Sequence, residues 1–274
     1  MASRVTFIGA GNMASAIIGG MISNGHPATA ITATSPSDAF LEPIHERYGI
    51  RTNTDNTTAV RDADIVVLAV KPQVMRDVCE GLRDTLQRQR PLIISVAAGL
   101  DADTLQAWLG GDLPLIRCMP NTPSLVGAGA AGLFASPQVS EEQRTQATGL
   151  LEAVGLVEWV EEEGLLDAVT AVSGSGPAYF FLMFEAMEEA GVKLGLSAET
   201  ARRLALQTAL GAARMAQGSD LTPARLKRNV MSPGGTTERA VEYLEHAGLR
   251  DTMAKAMEAC ARRAREMADE FGQR

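Results

Sequence analysis

A glycine-rich segment near the start of the chain has the residues and spacing of a phosphate-binding turn. The apolar run Val5 to Ile8 leads into Gly9-Ala10-Gly11-Asn12-Met13-Ala14, and a helical pattern follows. In such a turn the first glycine permits a tight bend, the second lets the backbone approach a pyrophosphate, and the final small residue lets the helix pack on the strand. The helix N-terminus then points at the phosphates. A structural glycine turn is the alternative, but the strand–turn–helix context predicts a bound dinucleotide.

The residues after the second predicted strand bear on which dinucleotide binds. This strand, Ile31 to Thr34, is followed by Ser35, Pro36 and Ser37, where an NAD-binding protein usually has an acidic residue for the ribose diol. No acid stands there, and Asp38 comes too late to substitute for one. The hydroxyl groups could hydrogen-bond a 2′-phosphate, or they could simply cap the following helix. We therefore expect NADP(H) to be preferred over NAD(H).

Three further strand ends carry residues that could line a ligand. Ala69-Val70-Lys71-Pro72 ends one predicted strand at the carboxyl edge of a parallel sheet, where ligands of such folds bind. Ser95 to Gly99 ends the next strand with small residues, as a flat nicotinamide ring over the backbone would require. Met119 to Pro123 ends the one after. Lys71 could equally be a surface lysine, and the other two segments could be tight loops.

Two glycine-rich segments in the second half of the chain could bind an anion. Ser173-Gly174-Ser175-Gly176-Pro177 precedes one predicted helix, and Ser232-Pro233-Gly234-Gly235-Thr236-Thr237-Glu238 precedes another. Each would offer free backbone N–H groups at the positive end of a helix, which can hold a small carboxylate without arginine. The hydroxyl groups of Ser175, Thr236 and Thr237 could orient the remainder of the ligand. Ordinary helix capping is the alternative for either segment.

The remaining side chains argue against several other kinds of chemistry. The three cysteines and three histidines are scattered, without metal-ligand spacing, at Cys79, Cys118, Cys260, His26, His45 and His246. We therefore expect no metal, no disulfide framework and no histidine relay. The formal net charge of -8, with no run of Lys and Arg, argues against a nucleic-acid partner.

The N-terminal stretch has no formal charge between Arg4 and Asp38, so it could be mistaken for a signal peptide or a membrane anchor. Polar residues and glycines interrupt it, and no unbroken apolar run approaches about 18 residues. We expect a soluble, cytoplasmic protein without membrane contact.

The elements that must position these residues divide the chain into two parts, as its length of 274 residues suggests. Six apolar runs alternate with helical segments in the first part: Val5 to Ile8, Ile31 to Thr34, Ile65 to Val70, Leu92 to Val96, Leu115 to Cys118 and Gly155 to Val160. Runs without strict polar alternation are typical of parallel strands buried on both faces. We predict an α/β Rossmann domain with a mostly parallel sheet over residues 1–160.

Strand signals stop after Glu161, and long helical segments follow. The clearest are Tyr179 to Lys193, Ala198 to Gln217 and Leu249 to Phe271. We predict an all-α domain over residues 161–274 that binds the substrate. Its alanine-rich helices offer more apolar surface than one small domain can hide, so we expect it to hold a homodimer together.

Five motifs, spread over the whole length, resemble those of the pyrroline-5-carboxylate reductases. They are FIGAGNMA at 7–14, AVKP at 69–72, MPNTP at 119–123, VSGSGPAY at 172–179 and NVMSPGGTT at 229–237. The last is the family's most distinctive motif. A Rossmann half alone would not support this step because that fold serves many reactions, but a matching segment in the second half does.

The resemblance implies transfer of a hydride from NADPH to the ring C=N of 1-pyrroline-5-carboxylate, which gives L-proline in the last step of proline biosynthesis. NADH is often accepted in the family as well. The resemblance also implies homodimers built through the helical domains, and often larger rings of dimers.

The family's binding residues carry over onto matching positions. The cofactor set comprises Gly9, Ala10, Gly11, Asn12 and Met13 at the pyrophosphate, Ser35 and Asn56 on the adenosine side, Ala69, Val70, Lys71, Pro72 and Ala97 on the nicotinamide side, and Asn229 near the reactive end. The substrate set comprises Glu163, Ser175, Gly234, Gly235, Thr236 and Thr237. One departure is Thr236, which is alanine in some relatives, so its hydroxyl is expected to be dispensable.

Thr237 is the residue that we expect to be catalytic. It lies at the start of a predicted helix beside Gly234 and Gly235, which would hold the substrate carboxylate, so its hydroxyl would contact the ring nitrogen. A protonated cyclic imine is already electrophilic and needs no general base, nucleophile or metal. Positioning is then the main task, which fits the scattered histidines.

Two other functions match parts of the sequence. A reductase of the 6-phosphogluconate or hydroxyacid dehydrogenase type shares a Rossmann half and a helical half, but it uses a lysine in the helical half as acid or base. Lys193, the only nearby candidate, lies far along a helix from the glycine-rich segment. A non-catalytic NAD(P)-sensing protein is the other alternative, and the presence of two candidate anion sites argues against it.

Overall fold

An eight-stranded sheet forms the centre of the first part of the chain in the computed structural model, which describes residues 2–272. The strands are β1 (Val5–Ile8), β2 (Ile31–Thr34), β3 (Arg51–Asn53), β4 (Ile65–Leu68), β5 (Leu92–Ser95), β6 (Leu115–Met119), β7 (Gly129–Ala135) and β8 (Gly155–Trp159). Their order is β3-β2-β1-β4-β5-β6-β7-β8, and every pair of neighbours is parallel except β6 and β7. The predicted Rossmann-type, mostly parallel sheet is confirmed.

The sheet is buried on both faces because helices cover each of them. These helices are α1 (Asn12–Ser23), α2 (Asp38–Tyr48), α3 (Asn56–Ala59), α4 (Pro72–Gln89), α5 (Ala102–Leu109), α6 (Glu141–Leu151) and α7 (Leu165–Val169). One apolar cluster joins Phe7 of β1 to Ile17 of α1 and Leu151 of α6. A second joins Val66 of β4 to Leu82 of α4, on the opposite face. The central strands therefore read as continuous apolar runs.

Two strands, β3 and β7, were not predicted. β3 is a three-residue edge strand of polar sequence, Arg-Thr-Asn. β7 consists mainly of glycine and alanine. Small residues are needed there because a Cβ on Gly132 would lie 2.6 Å from Val169 Cγ1. Tertiary packing decides such strands, which carry little intrinsic β-propensity.

Every regular element described between residues 161 and 272 is helical, as predicted. After α7 come a π-helical turn (Thr170–Gly174) and then α8 (Gly176–Lys193), α9 (Ala198–Gln217), α10 (Pro223–Asn229), α11 (Thr236–His246) and α12 (Leu249–Gly272). None of the helices within residues 2–272 is long and apolar enough to cross a membrane.

Two compact units divide the chain, and their limits differ from the predicted division after residue 160. The first comprises Met1–Ser175 together with Ala259–Arg274, and the second comprises Gly176–Glu258. The end of α12 thus belongs to the sheet unit. The second unit exposes large apolar side chains along α8 and α9, including Phe181 at 64% and Leu204 at 55%.

Candidate active site

The turn after β1 requires glycine at its first position. Gly9 has a φ of +103°, which is left-handed backbone that favours glycine. A Cβ on Gly9 would lie 2.7 Å from the carbonyl oxygen of Ala69. The Gly9 amide donates a hydrogen bond of 3.1 Å to the Thr34 carbonyl. The turn therefore joins the carboxyl ends of β1, β2 and β4.

The start of α1 is open and has free backbone donors. Gly11 is its N-cap, no described side chain caps it, and its first turn holds no acidic residue. The first intrahelical hydrogen bond runs from Ser15 N to Gly11 O, so the amides of Asn12, Met13 and Ala14 have no acceptor within the helix. No heavy atom lies within 4 Å of the place where a Gly11 Cβ would stand. This geometry fits a pyrophosphate.

Hydroxyl groups occupy the end of β2, where the sequence predicts the adenosine side of the cofactor. Ser35 is 8% exposed, and the buried Thr34 Oγ1 has no hydrogen-bond partner among the described residues. The alternative that these hydroxyls cap α2 is not realised, because Ser37 is the N-cap and its side chain makes no capping bond. Asn56 begins α3, whose N-cap is Asp55. The donors needed for a 2′-phosphate are therefore not used up by helix capping.

The residues predicted for the nicotinamide side lie in the loops after β4 and β5. β4 ends at Leu68 and α4 begins at Pro72, so Ala69 to Lys71 form a loop between them. Lys71 is exposed and is the N-cap of α4, with Pro72 at the first helical position. Ala97 is partly buried in the loop between β5 and α5.

Glu163, predicted to face the substrate or the reactive end of the cofactor, has its carboxylate engaged within the first unit. Its Oε1 lies 2.7 Å from Arg117 Nη1 and accepts a hydrogen bond of 2.6 Å from the Ala102 amide. Nearby, Asp167 lies 3.6 Å from Arg265, and burial raises the pKa of the Asp167 carboxyl. The sequence prediction missed Arg117. The available signal was a charged residue inside the otherwise apolar strand β6.

The segment 173–177 lies where a π-helical turn ends and α8 begins. The helical backbone runs through it, because Ser175 N donates to Thr170 O at 2.8 Å in a π-helical turn. A Cβ on Gly174 would lie 2.6 Å from Cε at the end of the Met119 side chain, so the two residues pack closely. The Ser175 amide is therefore not free, which differs from the prediction of free N–H groups in this segment. The Ser175 hydroxyl lies 3.1 Å from Cys260 Sγ.

The segment 232–238 does precede a helix, α11, as predicted. Gly235 is its N-cap without a side-chain cap from the described residues, and Gly234 has a φ of +73°. The first intrahelical bond runs from Arg239 N to Gly235 O, so the amides of Thr236, Thr237 and Glu238 have no acceptor within the helix. Both threonines are exposed, as is Asn229 at the end of α10. The Glu238 carboxylate, which the sequence prediction overlooked, accepts from the Gly234 amide at 2.6 Å.

A mostly parallel sheet with an uncapped glycine turn after β1, followed by a helical unit, is typical of NAD(P)-dependent oxidoreductases. Comparisons with known proteins narrow this class. A family model described as pyrroline-5-carboxylate reductase dimerisation matches residues 163–267, and one described as NADP oxidoreductase, coenzyme F420-dependent, matches residues 4–99.

Two curated relatives and two solved structures show the similarity over the full length. The pyrroline-5-carboxylate reductase from Pseudomonas aeruginosa is 51% identical to this chain, and the alignment covers 98% of this chain and 98% of that protein. The one from Vibrio alginolyticus is 47% identical, and the alignment covers 96% of this chain and 97% of that protein. The structure of a pyrroline-5-carboxylate reductase from Coxiella burnetii matches with a TM-score of 0.95 at 46% identity, covering 98% of this chain and 99% of that one. The structure of a Plasmodium falciparum pyrroline carboxylate reductase, solved with NADP bound, matches with a TM-score of 0.85 at 30% identity, covering 97% of this chain and 98% of that one. The chain belongs to the pyrroline-5-carboxylate reductase family.

Proposed function

We propose that this chain reduces 1-pyrroline-5-carboxylate to L-proline, the last step of proline biosynthesis, with NADPH as the hydride donor. It is an oxidoreductase that acts on a C=N bond. The observation that carries the proposal is 51% identity to a pyrroline-5-carboxylate reductase over 98% of both chains. That similarity spans the glycine-rich turn of the first unit and the helix start of the second.

The first unit supplies most of the proposed cofactor site. The uncapped start of α1 would hold the pyrophosphate, the hydroxyl of Ser35 and the side chain of Asn56 would bind the adenosine side, and Ala69 to Pro72 with Ala97 would bind the nicotinamide side. Asn229 of the second unit is proposed for the reactive end. When bound there, NADPH supplies a hydride. The chain's own residues orient the reactants and keep water out.

The proposed substrate residues are centred on the start of α11. The free amides of Thr236 and Thr237, which follow the Gly234-Gly235 turn, would hold the substrate carboxylate. The Thr237 hydroxyl would hydrogen-bond the ring nitrogen and hold its proton as the imine becomes an amine. Ser175 and Glu163 complete the proposed set. Since a protonated imine is electrophilic, correct placement supplies much of the rate.

The chain forms homo-oligomers, in keeping with the match of residues 163–267 to the dimerisation model. We propose that the dimer is held by the helical unit and that dimers assemble into rings. The large apolar side chains exposed on α8 and α9 support the first of these points.

We further propose a cytoplasmic location. Cys79, Cys118 and Cys260 are all free thiols, which suits a reducing compartment.

Steady-state oxidation of NADPH, measured with and without 1-pyrroline-5-carboxylate, tests the activity. We expect turnover that depends on both reactants and yields L-proline. NADH in a parallel assay gives the cofactor preference. Binding of NADPH without turnover of the pyrroline would instead support the cofactor-sensing alternative, and turnover of a hydroxyacid alone would support a hydroxyacid dehydrogenase.

A further inference from the structure

A partly buried ion pair lies at the carboxyl edge of the sheet in the first unit. Arg117 is the central residue of β6, and only 15% of its side chain is exposed. Its Nη1 lies 2.7 Å from Oε1 of Glu163, whose side chain is 27% exposed. An ion pair this far from solvent is weak evidence for stability, because two apolar residues would often serve as well. Its location suggests another role.

The same Glu163 oxygen binds the first amide of a helix. Oε1 accepts from Ala102 N at 2.6 Å, and Ala102 is the first residue of α5, where an amide has no acceptor within the helix. Asp101, the N-cap, accepts from the Thr104 amide at 2.7 Å. Two carboxylates thus fix the first turn of α5. Arg117 holds one of them in place, which an apolar residue could not do.

The loop that precedes the first turn of α5 is short, and it is also held in place where it contacts α12. It runs from β5 to α5 and contains Ala97, the residue proposed to lie beside the nicotinamide. Gly99 has a φ of +72°, and a Cβ there would lie 3.1 Å from Met267 Cβ in α12. Residues 97–102 are therefore held between the sheet, the end of α12 and the Glu163 carboxylate.

We propose that Arg117 and Glu163 are positioning residues for hydride transfer. They fix residues 97–102, and so they fix the backbone surface at Ala97 against which the nicotinamide lies. The inference rests on the proposed function. It gives Glu163 a role through the Ala102 amide, and this role does not depend on direct contact with the substrate. A displacement of about 1 Å at a reacting centre can lower the rate by about a hundredfold, so a small shift of this segment has a measurable effect.

The test compares variants at the two ends of α5. Glu163→Ala removes the acceptor for Ala102 N, and Glu163→Gln keeps an acceptor oxygen. Arg117→Met combined with Glu163→Gln removes both charges together, so no charge is left unpaired if single variants fold poorly. Arg83→Met is the matched control, because Arg83 Nε donates to the Trp108 carbonyl at 3.0 Å, at the far end of the same helix.

Three quantities are measured on the full-length protein: kcat with 1-pyrroline-5-carboxylate, the Kd for NADPH by fluorescence titration, and hydrogen–deuterium exchange of backbone amides. Glu163→Ala is expected to lower kcat by about tenfold to a hundredfold. It should leave the Kd for NADPH nearly unchanged and speed up exchange in residues 97–104. Glu163→Gln should keep most of kcat, and the double variant should fall between these two.

The control separates positioning from a purely structural role. Arg83→Met should speed up exchange only near Ala107 to Gly111 and leave kcat unchanged. Equal losses of kcat in Arg83→Met and Glu163→Ala would overturn the proposal, and so would normal kcat in Glu163→Ala despite faster exchange. Absence of pyrroline reduction by the unaltered protein would reject the proposed function, whereas the exchange pattern would still report on the contact itself.

Discussion

Ser35, which follows β2, is the residue that we propose to decide which form of the cofactor is preferred. It is buried, and no acid stands between it and Asp38. Ser35→Asp would place a negative charge beside the 2′-phosphate of NADPH. We expect kcat/KM for NADPH to fall and the preference to move toward NADH, as measured by parallel titrations of both cofactors. Unchanged affinity for NADPH in this variant would show that the phosphate binds elsewhere.

Thr237 is tested by a pair of substitutions that distinguish catalysis from capping. Leaving the ring nitrogen of the bound substrate without its hydrogen bond costs about 1 to 3 kcal/mol, so Thr237→Ala should lower kcat/KM roughly tenfold to a hundredfold. Thr237→Ser, which retains the hydroxyl, should keep most of the activity. NADPH binding should barely change in either variant. If Thr237→Ala has normal turnover and a lowered Tm, the hydroxyl is structural.

In the turn between β1 and α1, Gly9 and Gly11 have different roles, so substituting them should have different effects on stability and on NADPH binding. A methyl group in Gly9→Ala would meet the Ala69 carbonyl in a left-handed backbone, so the variant should be destabilised by about 1–3 kcal/mol. Gly11 has an ordinary φ of -77° and open space around it. Gly11→Ala should therefore keep its Tm and lose affinity for NADPH. Thermal melting and fluorescence titration measure the two effects, and a lowered Tm in Gly11→Ala would count against this assignment.

The same elements show what the sequence could and could not predict. Apolar runs such as Ile65 to Leu68 were recognised because strands buried on both faces have no polar alternation. β7 was missed because its glycines are selected by close packing, and this contact is invisible in a one-dimensional pattern.

The candidate sites differ in the same way: those made of consecutive residues were predicted, and contacts between distant residues were not. The turn at Gly9 is local, so strand, glycines and helix could be read directly. The segment before α8 was predicted to have free N–H groups because glycine and proline usually mark a helix start, but the Ser175 amide is bonded in a π-helical turn that no local pattern predicts. The contact between Glu163 and Ala102 joins residues far apart in sequence, and no local spacing predicts it.

At the scale of the whole molecule, the exposed apolar helices of the second unit predict a dimer. Light scattering at micromolar concentration should give at least twice the mass of one chain. Phe181→Glu, at a position that is 64% exposed, should shift the mass toward the monomer. Phe40→Glu is the matched control in the first unit, at 69% exposure, and should leave the mass unchanged. A strictly monomeric native protein would refute the prediction.

The division of α12 between two compact units has a consequence for how the protein is made on the ribosome. Residues up to Ser175 emerge early, but their unit also includes the segment from Ala259 onward. All of Gly176–Glu258 must be synthesised in between, which takes on the order of ten seconds at about 5–20 residues per second. During that time Gly99 lacks its neighbour Met267. The nascent cofactor-binding unit therefore remains incomplete until translation is almost finished, and a stalled chain that ends before Ala259 would present this uncovered surface to chaperones and proteases.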